Sequence, residues 1–313
     1  MNSSKETFKY DFLVEPILIN RIFKILSKET NALELIKAKE LWKETEKGEG
    51  IVTAVLDSGV DNHSDLKNNI IGGYNFTEDD SSDPNNYKDY IGHGTHVSGI
   101  IASSENKNGV VGIAPNSKLL ILKVINKNGY GNFQNLINAI QYAMNWVGPN
   151  GEKISIINMS LGGNRSNEEL HRSIKQARAK GIVLVAAAGN EGDGDSDTIE
   201  ISYPGFYKEV IQVGSFSKTH TPSKFSNSNV NIDFVGPGEN ILSTHLNNNY
   251  VELSGTSMAA PFVSGAAALI IKTLKNIDSH LVPMYVYQYL LQHALKLPDY
   301  PLNQVGNGFI QLK

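Results

Sequence analysis

From about residue 50 onward, short continuous apolar runs alternate with segments that have helical spacing of apolar residues. Runs without polar alternation are typical of strands buried on both faces of a sheet. The runs cover residues 51–56, 118–125, 154–161, 181–188 and 209–216. The helical segments lie near residues 94–103, 133–146 and 167–180. This order predicts an α/β fold with a mostly parallel central sheet flanked by helices.

Composition excludes several classes of function. The net charge of −4 gives no electrostatic reason to expect a nucleic-acid partner. The absence of cysteine excludes disulfide bonds, a thiol nucleophile and cysteine-ligated metals.

The first 25 residues differ from the rest and read as an extension before one domain that covers residues 26–313. Their apolar stretch is interrupted by Glu15, Arg21 and Lys24. We therefore expect neither a signal sequence nor a membrane span there, no membrane partner, and a cytoplasmic protein.

Polar residues follow several of the predicted strands at the point where each strand ends. Asp57 follows the first run, residues 160–163 close the third, and Asn190 follows the fourth. His93 and Ser257 stand instead where helices are predicted to begin. Ligands of parallel sheets bind at the carboxyl ends of the strands. The sequence therefore predicts one polar site at this edge.

Ser257 lies in the segment GTSMAAP, residues 255–261, directly before a strongly apolar helical stretch. At a helix N-terminus the unpaired N–H groups and the helix dipole stabilise negative charge, which suits a nucleophilic hydroxyl. The alternative is a plain N-cap, the most common role of a serine before a helix.

His93 lies in GHGTHVSG, residues 92–99, between two glycines that we expect to let a substrate backbone come close. An imidazole with a pKa near 6.5 can take a proton from serine and return it to a leaving amine. The alternatives are a structural histidine or a metal pair with His96. The segment lacks the glutamate of the zinc motif H-E-x-x-H, and His96 falls one turn further inside the helix, so we expect His96 to be structural.

Asp57 ends a buried strand, where a carboxylate is costly unless it is hydrogen-bonded, and an imidazolium partner fits that need. A turn cap is the alternative role for Asp57, and Asp61 is a rival carboxylate that we expect to be more exposed.

Asn190 has an amide N–H₂ suited to donating to an oxyanion, with the Ser257 backbone N–H as second donor. Its alternative is a left-handed turn residue after Gly189.

Taken together, these segments resemble the signature segments of the subtilisin (subtilase) family of serine proteases, in the order that the family has. They are VLDSGVD, GHGTHVSGIIA, SLGG, AAAGNEG and GTSMAAP. The resemblance covers about residues 30–275. It implies a subtilisin-like three-layer fold and a serine endopeptidase that acts on protein or peptide substrates. Its triad would be Asp57, His93 and Ser257, with Asn190 in the oxyanion hole.

Within the family, the sequence most resembles the bacterial intracellular serine proteases. Those enzymes form dimers, so a homodimer is expected, and a short N-terminal segment blocks their cleft. Here the segment FLVEPILI, which contains Pro16, is the nearest counterpart.

The resemblance also assigns substrate-binding residues. They are Gly129, Gly131, Phe133, Ser160, Leu161, Gly162, Glu191 and Ser202. A substrate strand is expected between residues 160–162 and the two glycines. Ser202 is expected at the base of the primary pocket with Glu191 at its rim, and Phe133 in an apolar pocket further along the cleft.

A structural Ca²⁺ site is implied as well, because aspartate and asparagine oxygens with loop carbonyls are suitable ligands. Its residues are Asp65, Ser104, Asn106, Asn108 and Val110. The stretch before Asp65 is one residue shorter than is usual in the family. Whether the acidic loop 191–200 holds a second ion or is simply solvated stays open.

Three functional hypotheses remain at this point. The first is an intracellular endopeptidase of broad specificity, and the second is a dedicated processing peptidase such as a lantibiotic leader peptidase. The third is a catalytically inactive binding module, which is disfavoured because every triad and oxyanion residue is present.

Overall fold

The computed structural model describes residues 9–14, 22–23, 31–106 and 109–313. The strands are β1 (Phe12–Leu13), β2 (Ile22–Phe23), β3 (Val52–Asp57), β4 (Ile70–Asn75), β5 (Lys118–Lys123), β6 (Tyr130–Gly131), β7 (Ile154–Met159), β8 (Val183–Ala187), β9 (Ile211–Phe216), β10 (Phe234–Pro237), β11 (Ile241–His245) and β12 (Asn249–Leu253). The α-helices are α1 (Asn31–Leu35), α2 (Lys39–Thr45), α3 (His93–Ala102), α4 (Phe133–Asn145), α5 (Glu168–Ala179), α6 (Thr256–Thr273), α7 (Val282–His293) and α8 (Leu302–Val305).

Seven strands form the central sheet in the order β10-β9-β8-β7-β3-β5-β4, and every neighbouring pair is parallel. All residues of β3, β8 and β9 are buried, as continuous apolar runs predict. Side chains from alternate positions enter two separate cores, one with α3 and α6 and the other with α4 and α5. The predicted fold with helices on both faces of a parallel sheet is confirmed.

Helix α6 is the core helix of the molecule. Among the described residues it alone is long and apolar enough to cross a membrane, but 78% of it is buried inside the protein. It packs on β8 and β9 and against α3. Its apolar character is therefore explained by burial in the protein's own core.

The N-terminal extension pairs with the domain at two places that the sequence pattern does not predict. Phe12 and Leu13 pair antiparallel with β6, and Ile22 and Phe23 pair antiparallel with β12. Both pairings add a short strand to an edge, because β6 otherwise pairs only with its own turn through the bridge between Gly131 and Ile125, and β12 has β11 on its other side.

Candidate active site

The buried edge of the site is built at the end of β3. Asp57, the last residue of that strand, is 1% exposed, and its Oδ1 lies 2.7 Å from Nδ1 of His93. The same oxygen accepts a hydrogen bond from the backbone N–H of Ser58. Oδ2 is buried and has no hydrogen-bond partner in the described part of the chain. Asp57 therefore faces the imidazole and does not act only as a turn cap.

His93 is the first residue of α3 and is 4% exposed. Burial by itself lowers the pKa of His93, but the charge of Asp57, its hydrogen bond and the charge of Asp89 together raise that pKa above 6.5. The site thus stabilises the imidazolium that proton transfer from a nucleophile would create.

Ser257 is the second residue of α6, whose N-cap is Gly255, so the N-cap alternative for this serine is excluded. The half-buried Ser257 hydroxyl donates to the main-chain carbonyl of Ser160 at 2.9 Å, and the Ser160 hydroxyl donates back to the Ser257 carbonyl at 2.8 Å. The residue that follows β7 therefore holds the serine in place. A hydrogen bond from Ser257 to His93 stays a prediction.

Asn190 borders the same space as the backbone N–H of Ser257. Its Oδ1 accepts from the backbone N–H and the hydroxyl of Thr256, at 2.9 and 3.0 Å. A Cβ placed on Gly255 would lie 3.5 Å from Asn190 Nδ2 and 3.7 Å from Ser257 N. Asn190 is not among the residues with positive φ, so the left-handed turn is excluded. Two donors thus flank one point next to the serine.

His96 is a structural residue, as its place in the helix predicts. It is fully buried, and its Nε2 lies 2.9 Å from the carbonyl oxygen of Ile241 and 3.2 Å from that of Val251. Burial lowers the pKa of His96 to about 3. Within the described ranges no three His, Asp or Glu side chains form a metal-binding group, so a metal pair of His93 and His96 has no further ligands.

The glycines beside His93 have a different role from the one predicted. A Cβ on Gly92 would lie 2.1 Å from the His245 ring, and a Cβ on Gly94 would lie 2.2 Å from the carbonyl oxygen of Gly59. The space is filled by the protein's own chain, so these glycines serve close packing of α3 and not the approach of a substrate.

A strand of the protein itself lies in the cleft predicted for substrate. The backbone N–H groups of Asp11 and Val14 donate to the carbonyls of Gly131 and Gly129, at 2.9 and 2.8 Å. On the other side, a Cβ on Gly163 would lie 2.7 Å from the carbonyl oxygen of Asp11. The extension therefore runs between β6 and the segment that follows β7. Residues 15–20, which include Pro16 of FLVEPILI, lie outside the described residues.

The predicted apolar pocket is occupied by Phe12. This side chain is 6% exposed, and its ring lies 5.9 Å from that of Phe133. Leu161 belongs to the same buried cluster. The extension thus places a large aromatic ring where the resemblance predicts an apolar side chain of the substrate.

The two residues predicted for the primary pocket lie beside glycines that follow β7 and β8. Ser202 is buried, and its hydroxyl would lie 2.2 Å from a Cβ on Gly162. Glu191 is exposed and accepts a hydrogen bond from the Asn227 amide at 2.7 Å, directly beside Gly189. Ser202 therefore lies behind the strand-binding segment, and Glu191 lies at the surface.

The predicted calcium residues also come together. Asp65 is 2% exposed and accepts hydrogen bonds from the Asn106 amide at 3.0 Å and from the Tyr250 hydroxyl at 2.8 Å. Its carbonyl accepts from the backbone N–H of Ser104. Gly109, next to the buried Val110, is so close that a Cβ there would lie 2.2 Å from Oδ2 of Asp65. Asn108 lies outside the described residues.

These residues suit a hard cation, because a buried carboxylate that is held by neutral groups gains from a positive partner. The Asn106 side chain already contacts Asp65, and a turn of its amide group would present oxygen in place of nitrogen. The acidic loop 191–200 differs, because its carboxylates are mostly exposed and bond within the loop.

Sequence reasoning missed a second buried carboxylate behind His93. Asp89 is 1% exposed and accepts from the Ser58 hydroxyl, from the N–H groups of Ile91 and Gly92, and from the N–H and hydroxyl of Thr95. It ties the start of α3 to the residue after Asp57. The position of an aspartate four residues before His93 is the only signal that the sequence offers.

Comparison with known proteins agrees with this geometry. The model of the subtilase family matches residues 48–308. An intracellular serine protease of Paenibacillus polymyxa is 49% identical over 90% of this chain and 84% of its own length. The major intracellular serine protease of Bacillus subtilis (strain 168) is 46% identical over 95% of this chain and 92% of its own length. Subtilisin DY of Bacillus licheniformis is 38% identical over 80% of this chain and 87% of its own.

The family match covers the whole central sheet and both helices that begin at the site, and the similarity to the two intracellular proteases extends over nearly the full chain. The chain therefore belongs to the subtilase family and is a serine endopeptidase.

Proposed function

We propose that the chain is a cytoplasmic endopeptidase of broad specificity in which Asp57, His93 and Ser257 form the catalytic triad. The observation that carries the proposal is the buried Asp57–His93 pair at the sheet edge where α6 brings in Ser257. The location is supported by the two relatives whose names call them intracellular.

The hydrogen bond to Asp57 puts the proton of the neutral imidazole on Nδ1, which leaves Nε2 of His93 as the acceptor. Ser257 Oγ attacks the peptide carbonyl carbon while Nε2 takes its proton. Because Oγ donates to the Ser160 carbonyl in the resting structure, the step begins with exchange of that hydrogen bond for one to Nε2. The imidazolium then protonates the leaving amine, and water hydrolyses the acyl-enzyme by the same route.

Asn190 Nδ2 and the Ser257 N–H are the donors that we propose for the oxyanion. Support comes from Thr256, which holds the amide by its oxygen and so directs the N–H₂ group toward the space beside Ser257. Donors that are fixed before the reaction stabilise the developing charge without reorganisation.

The N-terminal extension acts, in this proposal, as a substrate-like inhibitor. Its strand takes the hydrogen bonds of Gly129 and Gly131 that an incoming peptide needs, and Phe12 fills the apolar pocket at Phe133. A peptide substrate can bind only when this segment leaves or is cut, so the extension lowers activity until then.

Calcium is proposed at Asp65, Ser104, Asn106, Asn108 and Val110, where it would fix the loop after α3 and supply no chemistry to the reaction. A chelator should then lower the thermal midpoint by a few degrees, through linkage of binding to folding. Asp65→Asn should lower the midpoint in buffer with calcium and abolish the chelator effect. An equal thermal midpoint with and without chelator would remove calcium from the proposal.

The homodimer stays a prediction, to be checked by light scattering.

A fluorophosphonate probe, which reacts with activated serines, tests the triad. We expect one label per chain, at Ser257 by peptide mapping, and no label in Ser257→Ala. Protein that folds and binds calcium but takes no label, even when Phe12→Ala weakens the hold of the extension on the cleft, would be an inactive binding module, and the triad proposal would be wrong.

Broad and dedicated activity differ in substrate range. A broad enzyme should digest casein at many sites, whereas a leader peptidase should leave casein nearly intact and cut one precursor once. Casein that survives prolonged incubation with probe-reactive enzyme would favour the processing peptidase.

A further inference from the structure

Three residues of the extension that precede the apolar anchor Phe12 also contact the domain. Asp11 lies at the start of α4, Tyr10 lies on Tyr130, and Lys9 reaches Glu78. A strand held only by its backbone and by Phe12 does not need these contacts. They lie on the cleft side of the molecule, on the same strand that occupies the position proposed for substrate.

The Asp11 carboxylate binds the first turn of α4. Its Oδ2 accepts from the backbone N–H of Phe133 at 2.8 Å. The side chain of Asn132, the N-cap, accepts from Asn135 N, so the Phe133 N–H is one of the donors that the helix itself leaves unpaired. A carboxylate here is favoured both by the hydrogen bond and by the positive end of the helix dipole.

Tyr10 is recognised by its ring and by its hydroxyl. The ring stacks on that of Tyr130, with centroids 4.9 Å apart and planes inclined by 22°. The hydroxyl donates to Glu78 Oε1 at 2.8 Å. Both partners are exposed and exist in the domain without the extension, because Glu78 lies between β4 and α3, and Tyr130 lies in β6.

Negative charge on the domain favours a basic residue at the position before Tyr10, which Lys9 occupies. Lys9 Nζ lies 3.0 Å from Glu78 Oε1, in a stretch, residues 78–83, that also carries Asp79, Asp80 and Asp83. The buried Asp79 pairs with Lys123 at 3.1 Å, and the Tyr90 hydroxyl donates to Asp80. Among these contacts, Glu78 is the carboxylate that faces the incoming strand.

We propose that Glu78, Tyr130 and the first turn of α4 form an upstream subsite that selects a basic, an aromatic and an acidic residue, in that order, before the apolar anchor of a bound peptide. The inference rests on the proposed function, in which the extension lies as a substrate lies. In the resting protein the subsite binds the extension. After the extension has left, the subsite binds substrates that have the same sequence pattern.

Substrate choice tests the subsite directly. The full chain is given two peptides that share Phe-Leu-Val and all following residues, one preceded by Lys-Tyr-Asp and the other by Lys-Ala-Asn. We expect kcat/KM to favour the first by about tenfold, since an exposed stack and its hydrogen bonds are each worth only a few-fold. Tyr130→Ala should bring this ratio close to one, whereas Tyr130→Phe keeps the stack and should preserve it. Glu78→Gln should instead lower kcat/KM for both peptides about threefold, because both carry the lysine that pairs with Glu78. A ratio near one in the unaltered protein would overturn the proposal.

Hydrogen exchange tests the same contacts without any catalysis. In a full chain with Ser257→Ala, the Asp11 and Val14 amides are protected by Gly131 and Gly129. We expect Glu78→Gln to speed exchange of residues 9–14 about threefold and Tyr130→Ala about tenfold. The control is Glu46→Gln, which breaks the surface pair with Lys272 far from the cleft and should change nothing in this segment.

The two proposals fail differently. Unchanged exchange in Glu78→Gln and Tyr130→Ala overturns the subsite, even if the fluorophosphonate probe labels Ser257. Faster exchange in both variants, with no probe label on the unaltered chain or on Phe12→Ala, supports the subsite and instead contradicts the proposed triad.

Discussion

The triad region and the extension in the cleft are held by opposite kinds of contact. Asp57, His93 and Asp89 are nearly inaccessible to solvent, and both carboxylates make short hydrogen bonds, Asp57 to His93 and Asp89 to Thr95. The side chains of Lys9 and Glu78 are more than half exposed where they meet. Buried charged contacts are costly to break, whereas exposed ones are worth little singly. In the proposed mechanism, this difference lets a firmly held catalytic centre coexist with a segment that leaves it when substrate binds.

The largest effect is expected inside the rigid region. Ser257→Ala should abolish peptide hydrolysis, and the loss measured for the equivalent change in subtilisin, about a millionfold, gives the scale. The matched control is Ser264→Ala in the same helix, which loses a buried hydrogen bond to Asn158 and should lower stability but keep activity. Equal activity losses in the two variants would contradict the nucleophile assignment.

The next effect isolates one hydrogen-bond donor. Asn190→Asp keeps the oxygen that Thr256 binds but removes the N–H₂ group, so kcat should fall while KM changes little. Removal of the corresponding donor in subtilisin costs about 100- to 1000-fold in kcat. A variant that changes KM alone would place Asn190 in substrate binding and not at the oxyanion.

In the extension, the expected change is a gain of activity. Phe12→Ala removes a buried ring worth about 1.5–3 kcal/mol, so cleavage of a short peptide should rise about 10- to 100-fold as the cleft opens. Leu13→Ala, at a side chain that is 46% exposed, is the control and should have a small effect. Loss of activity in Phe12→Ala would mean that the extension supports the site and does not block it.

The smallest effect concerns pH. Protonated His93 cannot accept the serine proton, so activity should be lost as pH falls through its pKa, which Asp57 and Asp89 raise above 6.5. Asp89→Asn removes one of these charges and should lower the pKa, moving the acid limb of kcat/KM to lower pH. His96, the other ionisable group of α3 near the ring, stays neutral in this range because its pKa is about 3. An acid limb that does not move would show that Asp89 only holds α3 in place.

Most of the residues proposed for catalysis could be predicted from the sequence because they stand at positions that local sequence patterns mark. Asp57, His93 and Asn190 follow strands or begin helices whose apolar patterns are strong, and the predicted strands and helices are found within a few residues of their expected bounds. The edge strand β4 was not predicted, because most of its residues are only partly buried and its pattern is correspondingly weak. Strand β10 and the β11–β12 hairpin were not predicted either, although most of their residues are buried, because these strands are only four or five residues long.

The roles of glycines show the limit of such reading. Gly92 and Gly94 suggested access for a substrate, but His245 and Gly59 fill the space beside them. His245 and Gly59 are both far from these glycines in the sequence, so no local pattern predicts the contacts. Asp89 escaped notice for the same reason, since its partners are mainly backbone N–H groups that become available only when α3 forms.

By itself, the sequence determined the family, the parallel sheet, and the identity of the serine, histidine and aspartate proposed for catalysis. It did so because buried strands and helix starts leave periodic and compositional marks along the chain. The resemblance pointed to FLVEPILI as the segment in the cleft, but only the tertiary structure decided its register there and that Tyr10 and Lys9 meet Tyr130 and Glu78. Those contacts join residues 60 or more positions apart through backbone hydrogen bonds and surface charges, which any sequence of similar composition can supply.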